Sequence, residues 1–425
     1  MKLVVHRGAK QIGGCVVEIE SNGYKVFIDF GEQLPGKAEK IFSPIEGLTT
    51  GDVSKSALFI THYHGDHIGE IHNTVLGLPV YTGKTALEIY KCLETRLSLI
   101  PDQINAEKHK KILDRIKNII PFKPLQKTKI GEITVTPLFI DHSAFDAYMF
   151  IIEAEGKRIL HTGDFRGHGF RSKILVPLLK KYCTDIDYII SEGSNILRPE
   201  AAFQSEQDLQ KDYEIQFRKN KYSFVFVSST NIDRIFALYH AAKKAKRCFV
   251  CDSYQTNLLK IVSDNHKQFS KFYDINFEQK IKPAGRYFEL KPFNGKPLEF
   301  TGNLKSYLDK NGFCMLIRAN KSFKQLLSEY AKHPETIINY SMWTGYLDRK
   351  NPAFNSDISD FISPFRLIFK HTSGHADVNA LRTLFKTVNP KCGIIPIHTE
   401  APEKFKEIFS ENKIILLKDG LVFDI

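Results

Sequence analysis

Nowhere does this chain approach the ~18 uninterrupted apolar residues that a membrane-crossing helix requires. That excludes a helical integral membrane protein. The first residues, Met1-Lys2-Leu3-Val4-Val5-His6, form a short strand-like run and lack the small-residue cleavage pattern of a secretory signal, so a cytoplasmic location is expected. Cysteine is scarce as well: seven residues, odd in number and scattered from Cys15 to Cys392, argue for reduced thiols rather than a disulfide framework. Cys248 and Cys251 have CxxC spacing, yet no second pair completes a zinc site, and the run Cys248-Phe249-Val250-Cys251 reads as core. There is no internal repeat and no low-complexity tract. Acidic residues are outnumbered, 48 against 60 basic, for a formal net charge of +12. The excess suits a polyanionic partner, because lysine and arginine that neutralise phosphates supply much of the sequence-independent affinity for nucleic acid. Lysines such as Lys108, Lys110 and Lys111 fit the solvated face of a helix equally well.

What is present is a globular composition, 42% hydrophobic and 25% charged, over 425 residues. That length exceeds one ordinary core and predicts two domains, or one domain with a large insertion. The densest chemistry lies in Thr61-His62-Tyr63-His64-Gly65-Asp66-His67, directly after the apolar run Ala57-Leu58-Phe59-Ile60. The run reads as a buried parallel strand, and Ile68-Gly69-Glu70-Ile71 reads as a helix opening. The cluster therefore falls in a strand-to-helix loop, where open α/β sheets present their ligands. Four metal-binding side chains in six positions are far more specific than a lone solvated histidine. His62 and His64 can converge on one cation, while Asp66 and His67 point to a second.

The same grammar of apolar strand followed by polar residue recurs along the chain. Early strands are expected at Leu3-Val4-Val5, at 15–19 and at 26–29, with Asp29 closing the last of these. Further strands at 79–82, 133–140, 158–161 and 188–191 are expected, and the last three run into His142, Asp164 and Glu192. Helices are expected at 84–97 and 107–119. Residues 195–368 read as a second α/β unit, with strands near Val225 and at 248–251, 313–317 and 336–340 and a helix at 232–246. Residues 264–311 are rich in lysine and phenylalanine and have weak periodicity. Beyond them, 367–370 runs into His371-Thr372-Ser373-Gly374-His375, a helix extends to about 388, and 393–397 runs into His398.

Taken in order, Asp29, residues 62–67, His142, Asp164, Glu192, His375 and His398 resemble the motif set of the β-CASP branch of the metallo-β-lactamase superfamily, and within it the ribonuclease J group. The resemblance implies an α/β fold: a metallo-β-lactamase αββα sandwich from 1–194 and 369–425, interrupted by a β-CASP domain at 195–368. It also implies two zinc ions, one held by His62, His64 and His142, the other by Asp66, His67 and His398, with Asp164 bridging. Asp29 would brace the metal loop from behind. Two such ions sharing a water would supply hydroxide for in-line attack on phosphorus. Glu192 would raise the pKa of His375, which would donate to the departing oxygen. His371 and Ser373 are implied as contacts to a substrate phosphate. His142 is followed by Ser143-Ala144-Phe145 where the group usually has a proline nearby, and His398 by Thr399 where glycine is usual; the ligands themselves are intact. With the sequence ending at Ile425, the group's extra C-terminal domain is expected to be missing, so oligomeric state does not carry over.

The resulting expectation is a zinc-dependent hydrolase of RNA phosphodiester bonds, endonucleolytic, 5′-exonucleolytic or both. One rival acts on DNA, since fold does not settle the sugar. Another is a catalytically silent RNA-binding subunit, which would have lost metal ligands. A lactamase-type hydrolase of small molecules would lack the insert. Basic residues of the insert, Arg218, Lys219 and Lys221 with Lys243, Lys244, Lys246 and Arg247, suit a nucleic-acid groove. The second cluster fits helix C-terminal cations equally well.

Overall fold

The computed structural model describes residues 1–35, 44–100, 103–198, 203–275 and 302–425. Part of the weakly periodic stretch 264–311 lies outside the described residues. Chain contacts divide the protein into two compact units, 1–203 with 374–425, and 204–373.

In the first unit, short apolar strands at the N-terminus build one sheet, and the first of them alternates buried and more exposed residues. β1 (Lys2–Arg7), β2 (Val16–Ser21) and β3 (Tyr24–Ile28) pair antiparallel in turn; β4 (Ser56–Phe59) then joins β3 in parallel, followed by β5 (Val80–Gly83) and β6 (Ile119–Phe122). Ile119, expected to end a helix, instead opens this edge strand, and the helix stops at Ile116. Pro121 explains the change, because proline cannot continue a helix but is tolerated where no further strand needs its missing N–H. The helices that precede β6 run Lys84–Leu97 and Gln103–Ile116.

The second sheet follows the order β17-β11-β10-β9-β8-β7. It comprises β7 (Thr128–Ile130), β8 (Ile133–Ile140), β9 (Ala147–Ala154), β10 (Lys157–His161), β11 (Tyr188–Ser191) and β17 (Gly393–Pro396). Sequence reasoning passed over β9, whose apolar run Ala147-Tyr148-Met149-Phe150-Ile151-Ile152 has no alternation to betray it. A strand covered on both faces reads that way. One face of this sheet packs on the first sheet, with Phe59, Ile28 and Val17 in the same buried cluster as Phe150, Ile152 and Ile395. Its other face is covered by the helices Leu175–Tyr182 and Val378–Val388, through Leu179, Leu381, Leu384 and Phe385. β18 (Val422–Asp424) closes the far edge of the first sheet against β1. This is the αββα sandwich that the sequence implied.

The second unit is a parallel five-stranded sheet. β12 (Tyr222–Phe226), β13 (Cys248–Val250), β14 (Phe313–Ile317), β15 (Thr336–Tyr340) and β16 (Ile368–Phe369) lie in the order β13-β14-β12-β15-β16. Fully apolar strands such as Phe313-Cys314-Met315-Leu316-Ile317 are buried throughout, as parallel sheets demand. Helices capped by side chains of Ser205, Asn231, Asp252 and Asn320 alternate with them. Cys248 and Cys251 are free thiols, and Cys251 is buried, in keeping with a core role.

Candidate metal centre

Each chemistry-bearing side chain of the first unit follows the C-terminal end of a strand. β4 leads into the 61–67 loop, β8 into Asp141 and His142, β10 into Asp164, β11 into Glu192 and β17 into His398. Both sheets open toward this rim, so residues up to 336 positions apart in the chain meet there. The helix expected after His67 is only one turn, Gly65–Ile68, and stops at Gly69.

Two nests of donor atoms result. In the first, His64 Nδ1 lies 3.2 Å from His62 Nε2 and 3.3 Å from His142 Nε2. In the second, His398 Nε2 lies 3.3 Å from both His67 Nε2 and Asp66 Oδ2. Asp164 Oδ2 stands between them, 3.8 Å from His62 Nε2, 3.1 Å from His67 Nε2 and 3.8 Å from His398 Nε2. Within each grouping the ligand atoms lie no more than 4.8 Å apart. Imidazole nitrogens that face one another so closely repel unless something positive joins them, so this donor set fits a cation. Alongside, His375 Nδ1 lies 3.1 Å from Glu192 Oε2 and 3.5 Å from Asp164 Oδ2.

Backbone geometry marks the same place. Asp29 and His398 hold left-handed φ of 61° and 49°, a conformation that costs non-glycine residues free energy and gathers at working sites. Gly31 has no space for a Cβ, which would run into the backbone carbonyl of Asp66. Behind the ligands, Asp29 receives the Thr61 N–H at 2.7 Å, the Thr61 hydroxyl at 2.8 Å and His67 Nδ1–H at 2.8 Å. His62 Nδ1 reaches Thr61 Oγ1 at 3.0 Å. These bonds occupy Nδ1 of both rings and turn Nε2 of His62 and His67 inward, the orientation a metal ligand needs.

The family model of the Zn-dependent metallo-hydrolase RNA specificity domain matches residues 367–414, and that of the anti-Pycsar protein Apyc1 matches 15–194. Ribonuclease J of Mycoplasma genitalium is 22% identical over 94% of this chain and 68% of its own length. These matches bear out the likeness to the β-CASP, ribonuclease J-like branch of the metallo-β-lactamases. A lactamase-like protein of Aspergillus fumigatus is 25% identical over 45% of the chain and 49% of its own length. A crystal structure of a protein of unknown function from Enterococcus faecalis V583 superposes with a TM-score of 0.72 at 19% identity, covering 99% of each chain. The matches to ribonuclease J, to metal-dependent hydrolases and to the Zn-dependent metallo-hydrolase domain make this chain a metal-dependent hydrolase.

The charges of its site sort into two sets. Burial, then the neighbouring rings, hold His62 and His142 well below the ordinary imidazole range, and burial brings His64 down to about 4. They stand neutral, with lone pairs ready for a cation. His67 goes the other way: burial pulls it down, but the carboxylates of Asp164, Asp29 and Asp66 prevail and hold it well above its usual value. At His375 burial is likewise outweighed, by Glu192 and then Asp164, and its pKa is pushed up to about 9. Asp164 and Asp66 are held well below the usual carboxylate range despite burial, chiefly by His398 and His67 respectively.

Sequence reasoning missed two polar residues of this β-CASP site. Ser194 Oγ lies 2.9 Å from His398 Nδ1 and 3.2 Å from His375 Nδ1, and Thr61 links Asp29 to His62. Ser194 stands two positions after a predicted strand-end carboxylate, the one signal that could have flagged it. His371 and Ser373 fall in the second unit and are not part of the donor clusters. Thr372 between them donates its hydroxyl to Gln204 O at 2.7 Å. Of the basic clusters, Arg218 pairs with Glu214 at 2.8 Å, and Arg247 donates to helix-end carbonyls of Phe217 and Asn220 at 3.1 and 3.3 Å. For Arg247 the contact is to helix-end carbonyls, whereas Arg218 is held in an i,i+4 ion pair on its own helix.

Proposed function

We propose that this chain is a zinc-dependent nuclease that hydrolyses phosphodiester bonds of single-stranded RNA, with two metal ions per chain. The observation that carries the proposal is the pair of donor nests sharing Asp164 Oδ2, with a carboxylate-backed histidine beside them. His62, His64 and His142 would hold one ion, Asp66, His67 and His398 the other, and Asp164 both. Metal held by these residues would supply a water of lowered pKa and would offset negative charge at the phosphorus.

The chain's own groups supply the rest. Glu192 is fixed from behind, its Oε1 accepting the Phe165 N–H at 2.8 Å, so Oε2 is free to take His375 Nδ1–H. His375 is therefore kept charged and oriented, and it donates to the oxygen that leaves phosphorus. Ser194 keeps that imidazole in register with His398. A ring with 27% of its side chain exposed can reach substrate while its partner stays dry. The name of the ribonuclease J relative and that of the RNA specificity domain favour RNA over DNA. The cysteine pattern, seven free thiols, favours a reducing compartment such as the cytoplasm. The β-CASP insert is proposed to enter near 194 and leave near 368.

The deciding experiment incubates the purified chain with end-labelled RNA and DNA of one sequence, with zinc and with chelator. Zinc-dependent cleavage of RNA is expected. Cleavage of DNA at an equal rate would make this a nuclease without sugar preference, and cleavage that survives chelation would overturn the metal assignment.

A further inference from the structure

The chain has a single tryptophan, and the fold leaves it in the open. Trp343 follows the C-terminal end of β15 and is 40% exposed, although tryptophan is normally among the most buried side chains. Nor is it loose. A Cβ on Gly345 would run into the indole ring, so the ring lies close against the glycine, and its plane stands at 80° to that of Tyr346 with centroids 5.5 Å apart. On the neighbouring parallel strand, Phe369 is 56% exposed and braces its ring against Tyr340 at 5.7 Å. Tyr340 in turn donates its hydroxyl to the Trp343 carbonyl at 3.1 Å. Two rigid aromatic faces therefore stand at the carboxyl edge of a parallel sheet, the edge where such sheets meet ligands.

The segment between the two rings carries exposed charges of both signs, with Asp348, Asp357 and Asp360 on the acidic side. Arg349, Lys350 and Arg366 are exposed and make no ion pair among the described residues; the nearby Asp348 carboxylate accepts the backbone N–H of Lys350 at 2.9 Å. Aromatic faces interleaved with unpaired cations suit a strand with flat bases and an anionic backbone. A protein partner would place its own carboxylates on the cations and aliphatic side chains on the rings. A net charge of +12 favours the polyanion.

We propose that Trp343 and Phe369 form a base-stacking platform for single-stranded nucleic acid, with Arg349, Lys350 and Arg366 tracking its phosphates. Stacking tolerates any base, so the platform adds affinity without reading sequence. The reading rests on the nuclease assignment for its biological sense, but its test does not.

Because the indole is unique, its fluorescence reports the site alone. The full chain with chelator, so that nothing is cut, is titrated with short oligouridylate and oligothymidylate and, separately, with inorganic polyphosphate. Saturable quenching by both oligonucleotides and none by polyphosphate is expected. Trp343→Phe should keep the affinity measured by filter binding, and Trp343→Ala should lower it about tenfold, the scale of one lost stacking contact. Arg349→Ala with Lys350→Ala should leave quenching in place and make the salt dependence shallower by roughly 0.7 per lost phosphate contact. Absence of quenching, equal quenching by polyphosphate, or concentration-dependent self-association abolished by Trp343→Ala would each overturn the platform, the last assigning this surface to a second copy. Quenching by RNA that is never cleaved would leave the platform standing and retire the nuclease reading; cleavage without quenching does the reverse.

Discussion

Among single residues, His375 and the ligand histidines separate cleanly by what they should lose. His375→Ala removes the proposed proton donor and none of the proposed ligands, so it should retain its metal while cleavage falls about 10²–10⁴-fold. Elemental analysis beside a cleavage assay checks this, and loss of zinc would make His375 a ligand instead. Asp66→Ala with His398→Ala should empty one nest of two of its donors, and a variant that keeps its full metal content would sink the two-ion assignment. Protonation gives a third expectation, for chelator-treated protein. His62, His64, His142 and His161 have lowered values in the fold, so below ~6.5 the unfolded chain takes up protons the fold refuses, and stability falls as pH falls. His67 and His375 are raised. Their contribution is full below ~6.5 and is lost as pH rises through their folded values, about 9 for His375. For these histidines the optimum lies between the two slopes. Melting temperatures at acid, neutral and alkaline pH should trace a dome, and one that rises steadily from neutral to alkaline pH would contradict the raised pair.

At the level of elements, the metal loop depends on a close approach that only glycine permits. Phe30 N–H donates to His67 O at 2.8 Å and Glu32 N–H to Gly65 O at 2.9 Å, stitching the segment after β3 to the 64–67 turn. Gly31 sits between those bonds, against the Asp66 carbonyl. Gly31→Ala should therefore push the loop aside and cost about 2 kcal/mol, with a loss of metal binding larger than so small a change suggests. Thermal unfolding and zinc titration measure the two effects. Unchanged zinc affinity in a stably folded variant would show that the loop adapts. Gly374 plays a related part, since a Cβ there would meet the Ser143 hydroxyl beside His142.

For the molecule as a whole, polyanion binding and end recognition are the properties to measure. Affinity for single-stranded RNA should fall with salt at a slope of roughly 0.7 per neutralised phosphate, and a flat response would favour a small substrate. If Ser373 and His371 hold a terminal phosphate, 5′-monophosphorylated RNA should be degraded faster than the same strand with a 5′-hydroxyl, and Ser373→Ala should narrow the difference. Equal rates on both strands and on circular RNA would leave an internal cutter.

Much of the centre was legible in the chain because the proposed metal ligands follow strands, and strands announce themselves by apolar runs. His62, His64, Asp66 and His67 are neighbours in sequence, so their grouping follows from local structure alone. By itself the sequence also determined the two-unit α/β composition and the strand that precedes each ligand. What only tertiary structure decided is what lies behind and beside those ligands. Ser194 and Thr61 are ordinary hydroxyls until the sheets bring His398, His375 and Asp29 to them. The aromatic ledge of Trp343 and Phe369 was equally hidden, because adjacent apolar residues look like core and only packing shows which of them stay exposed. The reason is physical: local pattern sets secondary structure over a few residues, whereas exposure and hydrogen-bond partners depend on contacts hundreds of positions away.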